Sequence, residues 1–270
     1  MLESPRAVDC GGLAKGAAIA MEWDWEDPDT LNPTMDTFLV DLARCEKLEP
    51  LPAAAPYDRD TLRGLGVTGI EFAAWRSFHP GGLATDVVPL RSGSAASERG
   101  TLFQVDGDRY FVEHDIAEPL PLTDGCMEWA YAEHLVEHVP VRVAVAWLTE
   151  VRRVLAPGGV LRLTTPDLRR YVEGYLDGGK FFARHRRLLR TAGVGPPMPE
   201  RPAFMFNQLF YLYGHRWIYD FEELSYLLTR AGFDSGAVRR CDFRQGARAD
   251  VADLDRALRR DETMYVEVTA

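Results

Sequence analysis

The sequence is poor in lysine, and it lacks both a basic charge balance and a long apolar run. Of its 31 basic residues only Lys15, Lys47 and Lys180 are lysines, and the formal net charge is −10 at pH 7. Nucleic-acid binding rewards clustered positive charge, so this acidic balance argues against a nucleic-acid partner. No apolar run approaches the roughly 18 residues of a membrane-spanning helix. We therefore expect a soluble protein that binds neither nucleic acid nor membrane.

The sequence also lacks cysteine motifs and an export signal. Its four cysteines form no CxxC pair, which argues against both a zinc knot and a disulfide scaffold: Cys10, Cys45, Cys126 and Cys241. The first residues include Glu3 and Asp9 and contain no apolar segment typical of a secretory signal. We therefore expect a cytoplasmic location.

What the 270 residues do contain, at 46% hydrophobic composition, is enough apolar material for a substantial core. Residues 1–57 are interpreted as an N-terminal arm. In this arm the apolar residues of segment 35–42 recur at helical spacing, and the proline-rich stretch 49–56 is a stiff linker. Trp23 and Trp25 in the arm are candidates for covering a pocket or docking on a partner. Residues 58–270 are interpreted as one domain.

Strand-like and helical patterns alternate along this domain. The pattern predicts strands at 67–72, 83–88, 127–132, 160–164 and 263–268, with a hairpin turn at Asp106-Gly107. It predicts helices at 141–155, 168–191, 203–213 and 220–231. Such alternation is typical of a mostly parallel sheet with helices on both faces.

Several motifs point to one superfamily. They are LTEVRRVLAPGGVL at 148–161, HDIAEPLP at 114–121, AEHLVEHV at 132–139, TPDL at 165–168, GHRWIYD at 214–220 and AGF at 231–233. Over residues 66–270 the chain resembles the class I S-adenosylmethionine-dependent methyltransferases, in particular a small bacterial type-11-like branch. The resemblance implies a Rossmann-like α/β fold with a seven-stranded sheet in which 263–268 is the antiparallel insert. It also implies a helical substrate-side insert at 168–220.

The same resemblance implies a cofactor site, and here the sequence departs from the family pattern. The family's first strand ends in Gly-x-Gly, where this chain has Ala73 and Trp75, whereas the acid after the second strand is retained as Asp86. Those glycines let the cofactor's amino-acid tail lie against the backbone, and a tryptophan occupies that space. Asp115 matches the acid near the adenine. The implied cofactor-binding residues are Ala73, Trp75, Asp86 and Asp115, and the alternative for both acids is a structural turn.

Asp115, Glu133 and His134 are the candidate catalytic acids and bases, because they follow strands whose carboxyl ends line the crevice in such folds. His134 and His138 also fit the H-x-x-E-H spacing of a zinc helix. The methyltransferase resemblance explains the same letters without metal, so we predict no metal ligand. Glu137 and His138 are interpreted as helix-packing and capping residues.

Two groups are candidates on the substrate side. Arg76, Arg109 and Arg216 are candidates for holding an anion, and Tyr213 and His215 belong to an aromatic segment that is typical of a pocket lining or core. The basic run from Arg184 to Arg190 is interpreted as a solvated helix face, with an anion-binding patch as the alternative.

Three functions follow. The first is a small-molecule biosynthetic enzyme with an impaired cofactor site, which catalyses an intramolecular displacement, ring closure or elimination. The second is an active S-adenosylmethionine-dependent O- or N-methyltransferase. The third is a pseudoenzyme that stabilises a catalytic partner, because aromatic residues are frequent at interfaces. The expected cofactor is therefore none or S-adenosylmethionine, and the expected partners are a small-molecule substrate and either another protein or a second copy of the chain.

Overall fold

The computed structural model describes residues 44–74, 78–192, 201–211 and 213–270. The predicted helix at 35–42 lies outside these residues, as do Trp23 and Trp25. Trp75 and Arg76 also lie outside them, so their assigned roles stay predictions.

One large sheet organises the described chain. In spatial order its strands are β1 (Leu48–Pro50), β6 (Leu102–Val105), β7 (Arg109–Glu113), β3 (Gly82–Asp86), β2 (Gly69–Phe72), β8 (Met127–Glu133), β9 (Leu155–Pro166), β11 (Thr263–Thr269) and β10 (Arg239–Cys241). Strands β7, β3, β2, β8 and β9 are parallel neighbours, and β11 is antiparallel to both β9 and β10. A short ribbon of β4 (Arg91–Ser92) and β5 (Ala95–Ala96) pairs separately.

The predicted α/β fold with a mostly parallel sheet is confirmed. The pairs β2–β3, β2–β8 and β8–β9 are the predicted parallel neighbours, and β11 is the predicted antiparallel insert. The hairpin turn between β6 and β7 is also as predicted, with Asp106 and Gly107 at φ 52° and 96°. Three residues, 106–108, join the strands, and the left-handed backbone of the first two suits aspartate and glycine. Strands β6 and β1 extend the sheet beyond the seven strands predicted.

Three of the described helices begin at a capping aspartate. The described helices are α1 (Arg59–Gly64), α2 (Val141–Val154), α3 (Leu168–Leu176), α4 (Lys180–Ala192), α5 (Pro202–Tyr211), α6 (Phe221–Arg230) and α7 (Ala249–Ala252). The side chains of Asp58, Asp167 and Asp220 accept hydrogen bonds from the first-turn N–H groups of α1, α3 and α6. No helix of the described residues is long and apolar enough to cross a membrane.

The single helix predicted at 168–191 is wrong, because two helices occupy this range. Gly178 and Gly179 lie between α3 and α4 with φ of 80° and 84°. This left-handed backbone ends a helix and is readily adopted by glycine.

The main core lies on one face of the sheet. Helices α1, α2 and α6 pack there on inward residues of β2, β8 and β9, and Trp147 of α2 meets Phe72 edge to face at 5.1 Å. The side chains of α2 that face the sheet are Ala144, Trp147, Leu148, Val151 and Val154, which follow the helical period.

On the opposite face, Trp129 of β8 fills space that glycines leave open. A Cβ at Gly69 would lie 2.0 Å from the Trp129 indole, and a Cβ at Gly82 would lie 3.0 Å from it. The short α7 packs through Val251 against Trp129 and Tyr131. Among the described residues, Trp129 and the short α7 therefore cover the centre of this face.

Helices α3, α4 and α5 have a small core of their own. It contains Tyr171, Phe181, Phe182, Met205, Leu209 and Ile218. This helical unit follows β9 directly, so it is attached at the carboxyl edge of the sheet.

The connection from β2 to β3 is short. Only residues 73–81 join these parallel strands, and the described residues among them, 73–74 and 78–81, are not helical. Parallel strands usually need a crossover of about a dozen or more residues, most often a helix. Near the end of this connection, the His79 backbone N–H donates a hydrogen bond to Glu71 Oε1 of β2 at 2.6 Å.

Candidate functional site

The carboxyl edge of the sheet has two strained residues side by side. Ala73 follows β2 with φ 48°, and His134 follows the adjacent parallel strand β8 with φ 50°. Left-handed backbone at non-glycine residues is costly and collects at functional sites. From β2 the chain continues to β3 on one side of β2, while β8 lies on its other side. The strand order therefore reverses beside β2, and in open α/β sheets ligands bind at such a switch point.

The two predicted acids lie on neighbouring strand ends beside this point. Asp86 ends β3, and its Oδ1 accepts from the Val88 N–H at 3.0 Å. Asp115 follows β7, and its Oδ1 accepts from the Ala117 N–H at 3.0 Å. Both side chains are half-buried. Within the described chain the other oxygen of Asp115 has no hydrogen-bond partner, so it is open to a ligand.

Glu133 is already paired with a cation. Its Oε2 lies 2.9 Å from Arg256 Nε, and its Oε1 accepts from the Arg256 backbone N–H at 3.1 Å. Burial raises the pKa of Glu133, while the charge of Arg256 acts in the opposite direction. With both oxygens engaged, Glu133 is less available as a base than Asp115.

His134 is buried and both of its ring nitrogens are engaged. Nε2 lies 2.8 Å from the Thr263 hydroxyl, which itself donates to the Arg259 carbonyl at 2.6 Å. The hydroxyl therefore accepts, and Nε2 carries the proton. Nδ1 then accepts from Arg259 Nη1 at 3.1 Å. Burial holds the pKa of His134 well below its usual value, and the charge of Arg259 adds to this effect.

Glu137 lies next to His134 in a fully buried position. Its Oε2 accepts from the Thr165 hydroxyl at 3.1 Å, and its Oε1 lies 3.3 Å from His134 Nδ1. Because that nitrogen already accepts from Arg259, it offers no proton, and Oε1 lacks a donor among the described residues. Burial raises the pKa of Glu137 to about 8.

His138 and His215 face each other beside Glu137. Their ring centroids are 4.8 Å apart at 73°. Burial, followed by the neighbouring His215, lowers the pKa of His138 to about 3, and burial also lowers the pKa of His215. The ligand atoms of Glu137, His138 and His215 all lie within 4.8 Å of one another.

The remaining substrate-side candidates divide into two groups. Tyr213 accepts from Gln208 Nε2 at 2.8 Å beside the helical unit, and the Arg216 backbone N–H donates to the Glu137 carbonyl at 2.6 Å. Arg109 instead lies at the amino end of β7, where it pairs with Asp106 and covers the Phe78 ring at 4.5 Å. Arg109 is thus remote from the acids, contrary to the prediction. It is the first residue of β7, whereas Asp86 and Asp115 lie at the carboxyl ends of their strands.

The predicted residues therefore form two clusters along one edge. Asp86 and Asp115 form the first, and His134 with Glu137 belongs to the second. Strands β7 and β8 are separated by β3 and β2, so about 14 Å separates the strand ends at Asp115 and His134, at about 4.8 Å per strand. A small molecule that contacts both must span the switch point near Ala73.

Arg259 and Thr263 were not predicted as site residues from the sequence, and Glu137 was interpreted as a packing and capping residue. The H-x-x-E-H pattern pointed to the neighbourhood of Glu137, but 136–138 is a short 3-10 helix rather than the longer helix this spacing would suit. Nothing in the sequence joined Arg259 or Thr263 to it.

The comparison with protein families agrees with the fold. Residues 76–163 match the family described as a methyltransferase domain. This match agrees with the methyltransferase resemblance expected from the sequence. The matched range contains β3, β7, β8, α2 and most of β9.

Solved methyltransferase structures are similar to this chain at low identity. One is an S-adenosylmethionine-dependent methyltransferase of Mesorhizobium loti, with 14% identity, 78% of this chain and 96% of that chain covered, and a TM-score of 0.41. A second is from Thermotoga maritima, with 14% identity, coverage of 75% and 81%, and a TM-score of 0.39. A third is a Haloferax volcanii methyltransferase in complex with the Trm112 activator, with 12% identity, coverage of 80% and 84%, and a TM-score of 0.39. No curated protein matches the sequence.

Proposed function

We propose that this methyltransferase-fold chain is an enzyme of small-molecule, secondary-metabolite biosynthesis that works without S-adenosylmethionine. The proposed reaction is an intramolecular displacement, ring closure or elimination that expels an anion. The observation that carries the proposal is the short connection 73–81 between β2 and β3, of which the described residues, 73–74 and 78–81, are not helical.

This connection bears on how well the cofactor fits. In Rossmann-like sites the cofactor lies on a glycine-rich turn and on the amino end of the helix that follows it. Here Ala73 keeps the left-handed turn without glycine, and the described residues that follow form no helix. Both features support a cofactor site that holds the amino-acid tail poorly, and the proposed reaction accordingly uses no S-adenosylmethionine.

The crevice offers the groups that a displacement needs. An amine or hydroxyl of the substrate forms a bond to a neighbouring carbon, while the bond from that carbon to a sulfate or phosphate oxygen breaks with its electron pair. The nucleophile's proton passes to the open oxygen of Asp115. Arg216, beside the second cluster, is exposed and forms no ion pair with the described residues, so its long side chain is the candidate for reaching the departing anion across the switch point.

Methyl transfer from S-adenosylmethionine to oxygen or nitrogen is the second candidate. The left-handed turn at Ala73 and the placement of Asp86 and Asp115 on adjacent strand ends favour it. These are the positions at which the resemblance places the cofactor's tail, ribose and adenine.

One experiment separates the two candidates. The purified full chain is incubated with a panel of amino- and hydroxy-substituted sulfate and phosphate esters, with and without S-adenosylmethionine, and released anion is measured by ion chromatography. Melting temperature is recorded with the cofactor and with S-adenosylhomocysteine. We expect anion release without cofactor and no thermal shift, whereas a ligand at a hundred times its Kd would stabilise the fold by about 2.7 kcal/mol.

Asp115→Asn is the matched variant. We expect it to abolish anion release with a nearly unchanged melting temperature, because the lost charge is at a ligand-facing oxygen. Asp124→Asn, at an exposed side chain paired with Arg153, is the control that keeps activity. A cofactor-dependent shift of several degrees in the unchanged protein would favour the methyltransferase candidate instead.

A pseudoenzyme that supports a protein partner is the third candidate. An apolar groove between α3 and α5 supports it, lined by Val172, Tyr175, Leu176, Ala203, Phe206 and Asn207. Val172, Tyr175 and Leu176 are all exposed there, and a contiguous exposed apolar patch is typical of an interaction site.

A further inference from the structure

We propose that Glu137, His138 and His215 form a binding site for a divalent transition-metal ion, with zinc as the natural occupant. Two histidines and one glutamate, with a fourth position left for water or substrate, make up a common catalytic zinc ligand set. The proposal rests on these side chains alone and is independent of the displacement reaction.

The first support is the mutual position of the three ligands. Their candidate ligand atoms all lie within 4.8 Å of one another. Tetrahedral zinc with bonds of about 2.0–2.2 Å places its ligands about 3.4 Å apart, so each side chain needs to move by only about 1 Å. His138 and Glu137 are adjacent in the chain, and the Arg216 and Trp217 N–H groups donate to the Glu137 carbonyl, which fixes His215 beside them.

The second support is the way in which the imidazoles are held. His215 donates its Nδ1–H to the Leu209 carbonyl, so its Nε2 has a free lone pair. His138 has a comparable backbone interaction with Tyr213. Metal-binding histidines typically anchor one nitrogen on a carbonyl in this way and present the other to the ion.

The third support is an orphaned carboxylate oxygen. Glu137 is 0% exposed, and within the described chain its Oε1 has no donor, while Oε2 is oriented by the Thr165 hydroxyl. Buried polar atoms are rarely left without a partner, and a bound cation would satisfy this one.

The proposed ligand set differs from the zinc pair weighed in the sequence analysis. That pair joined His134 to His138. Both nitrogens of His134 are taken by Thr263 and Arg259, so neither is free to bind a metal ion. His215, distant in sequence, takes its place.

The test measures metal binding rather than activity. The full chain is stripped with a chelator, and Zn²⁺ is added in a calorimetric titration. Co²⁺ is used as a spectroscopic probe, because bound tetrahedral cobalt has visible absorption bands. We expect one ion per chain, a loss of affinity on the order of 100-fold or more in Glu137→Gln and in His215→Gln, and about 10–100-fold in Thr165→Val.

His79→Gln is the matched control, since His79 packs against Trp129 on the face of the sheet opposite the main core. We expect it to bind zinc as the unchanged protein does. Glu137→Gln keeps the shape of the side chain, so it provides a folded variant if His215→Gln does not fold. The proposal is overturned if the folded, unchanged protein binds no stoichiometric Zn²⁺ or Co²⁺, or if Glu137→Gln and Thr165→Val bind as tightly as it does.

Discussion

At the scale of single residues, the turn after β2 keeps a glycine-like backbone without glycine. Ala73 has φ 48°, and its side chain is exposed, while the next residue, Ala74, is buried. An L-residue in this region costs roughly 1–2 kcal/mol relative to right-handed backbone. Position 73 thus keeps the left-handed turn that lets a ligand approach the backbone, but it lacks the glycine that would adopt this turn without strain.

We therefore expect Ala73→Gly to leave the fold as stable as before, or to raise its free energy of unfolding by up to about 1 kcal/mol. The relief of left-handed strain offsets the roughly 0.5–1 kcal/mol entropy cost of glycine. Urea unfolding measures the change. Ala74→Gly is the control, and we expect it to destabilise by about 1 kcal/mol, since it removes a buried methyl group without relieving strain. Equal destabilisation by both variants would contradict this account.

At the scale of elements, a buried ionic cluster attaches α4 to the loop before β11. His185 of α4 lies with Nδ1 3.1 Å from Asp261 Oδ1 and with Nε2 3.3 Å from Glu262 Oε2. The Tyr171 hydroxyl of α3 donates to the same Glu262 oxygen at 2.5 Å. Burial opposes the charged imidazole, but the hydrogen bond to Asp261 and the charge of Glu262 outweigh it, so the pKa of His185 is raised.

This cluster predicts a pH dependence. Because the folded pKa of His185 is above its unfolded value of about 6.5, its stabilisation is fully present below that value and is lost as pH rises through the folded pKa. We expect the difference in free energy of unfolding between the unchanged protein and His185→Gln to be largest below about pH 6.5 and to shrink as the pH rises above it. Urea unfolding at a series of pH values measures it.

The variant is compared with the unchanged protein because other buried histidines also affect how stability depends on pH. The pKa values of His134, His138 and His215 are lowered, so their contributions to the free energy of unfolding have the opposite sign. Those contributions are common to both proteins and cancel. A difference that stays constant over the range would mean that His185 is neutral in the folded chain.

At the scale of the whole molecule, Arg162 joins the sheet to the chain's last third. It is fully buried on β9 and forms a two-bond pair with Asp255 at 2.9 Å and 2.6 Å. It also reaches Glu267 of β11 at 2.8 Å and donates to the carbonyls of Asp242 and Gln245. The guanidinium of Arg162 therefore joins β9 to β11 and to the segment 242–255, which contains α7.

Removing Asp255 should leave the buried charge of Arg162 only partly compensated, by Glu267. We expect Asp255→Ala to lower the free energy of unfolding by about 3–5 kcal/mol, as measured by thermal or urea unfolding. Glu173→Ala is the control, because Glu173 pairs with Arg169 on an exposed helix surface. There the expected loss is at most about 0.5 kcal/mol. A small effect of Asp255→Ala would show that water or rearrangement relieves the charge.

The sequence by itself determined the architecture and part of the site. Apolar periodicity and turn residues are local properties, so strands β2, β3, β8, β9 and β11, helix α2 and the α/β class were predictable. The acids Asp86 and Asp115 were predictable as well, because parallel strands bring their carboxyl ends to one edge.

Only the tertiary structure decided which of these groups meet and which are free. Glu133 is taken by Arg256 and His134 by Arg259 and Thr263, partners that lie more than a hundred residues away in the chain. Arg109 is at the wrong end of its strand, and His215 lies against His138. Long-range packing sets these contacts, and burial then shifts the pKa of each group, so no pattern of neighbouring residues encodes them.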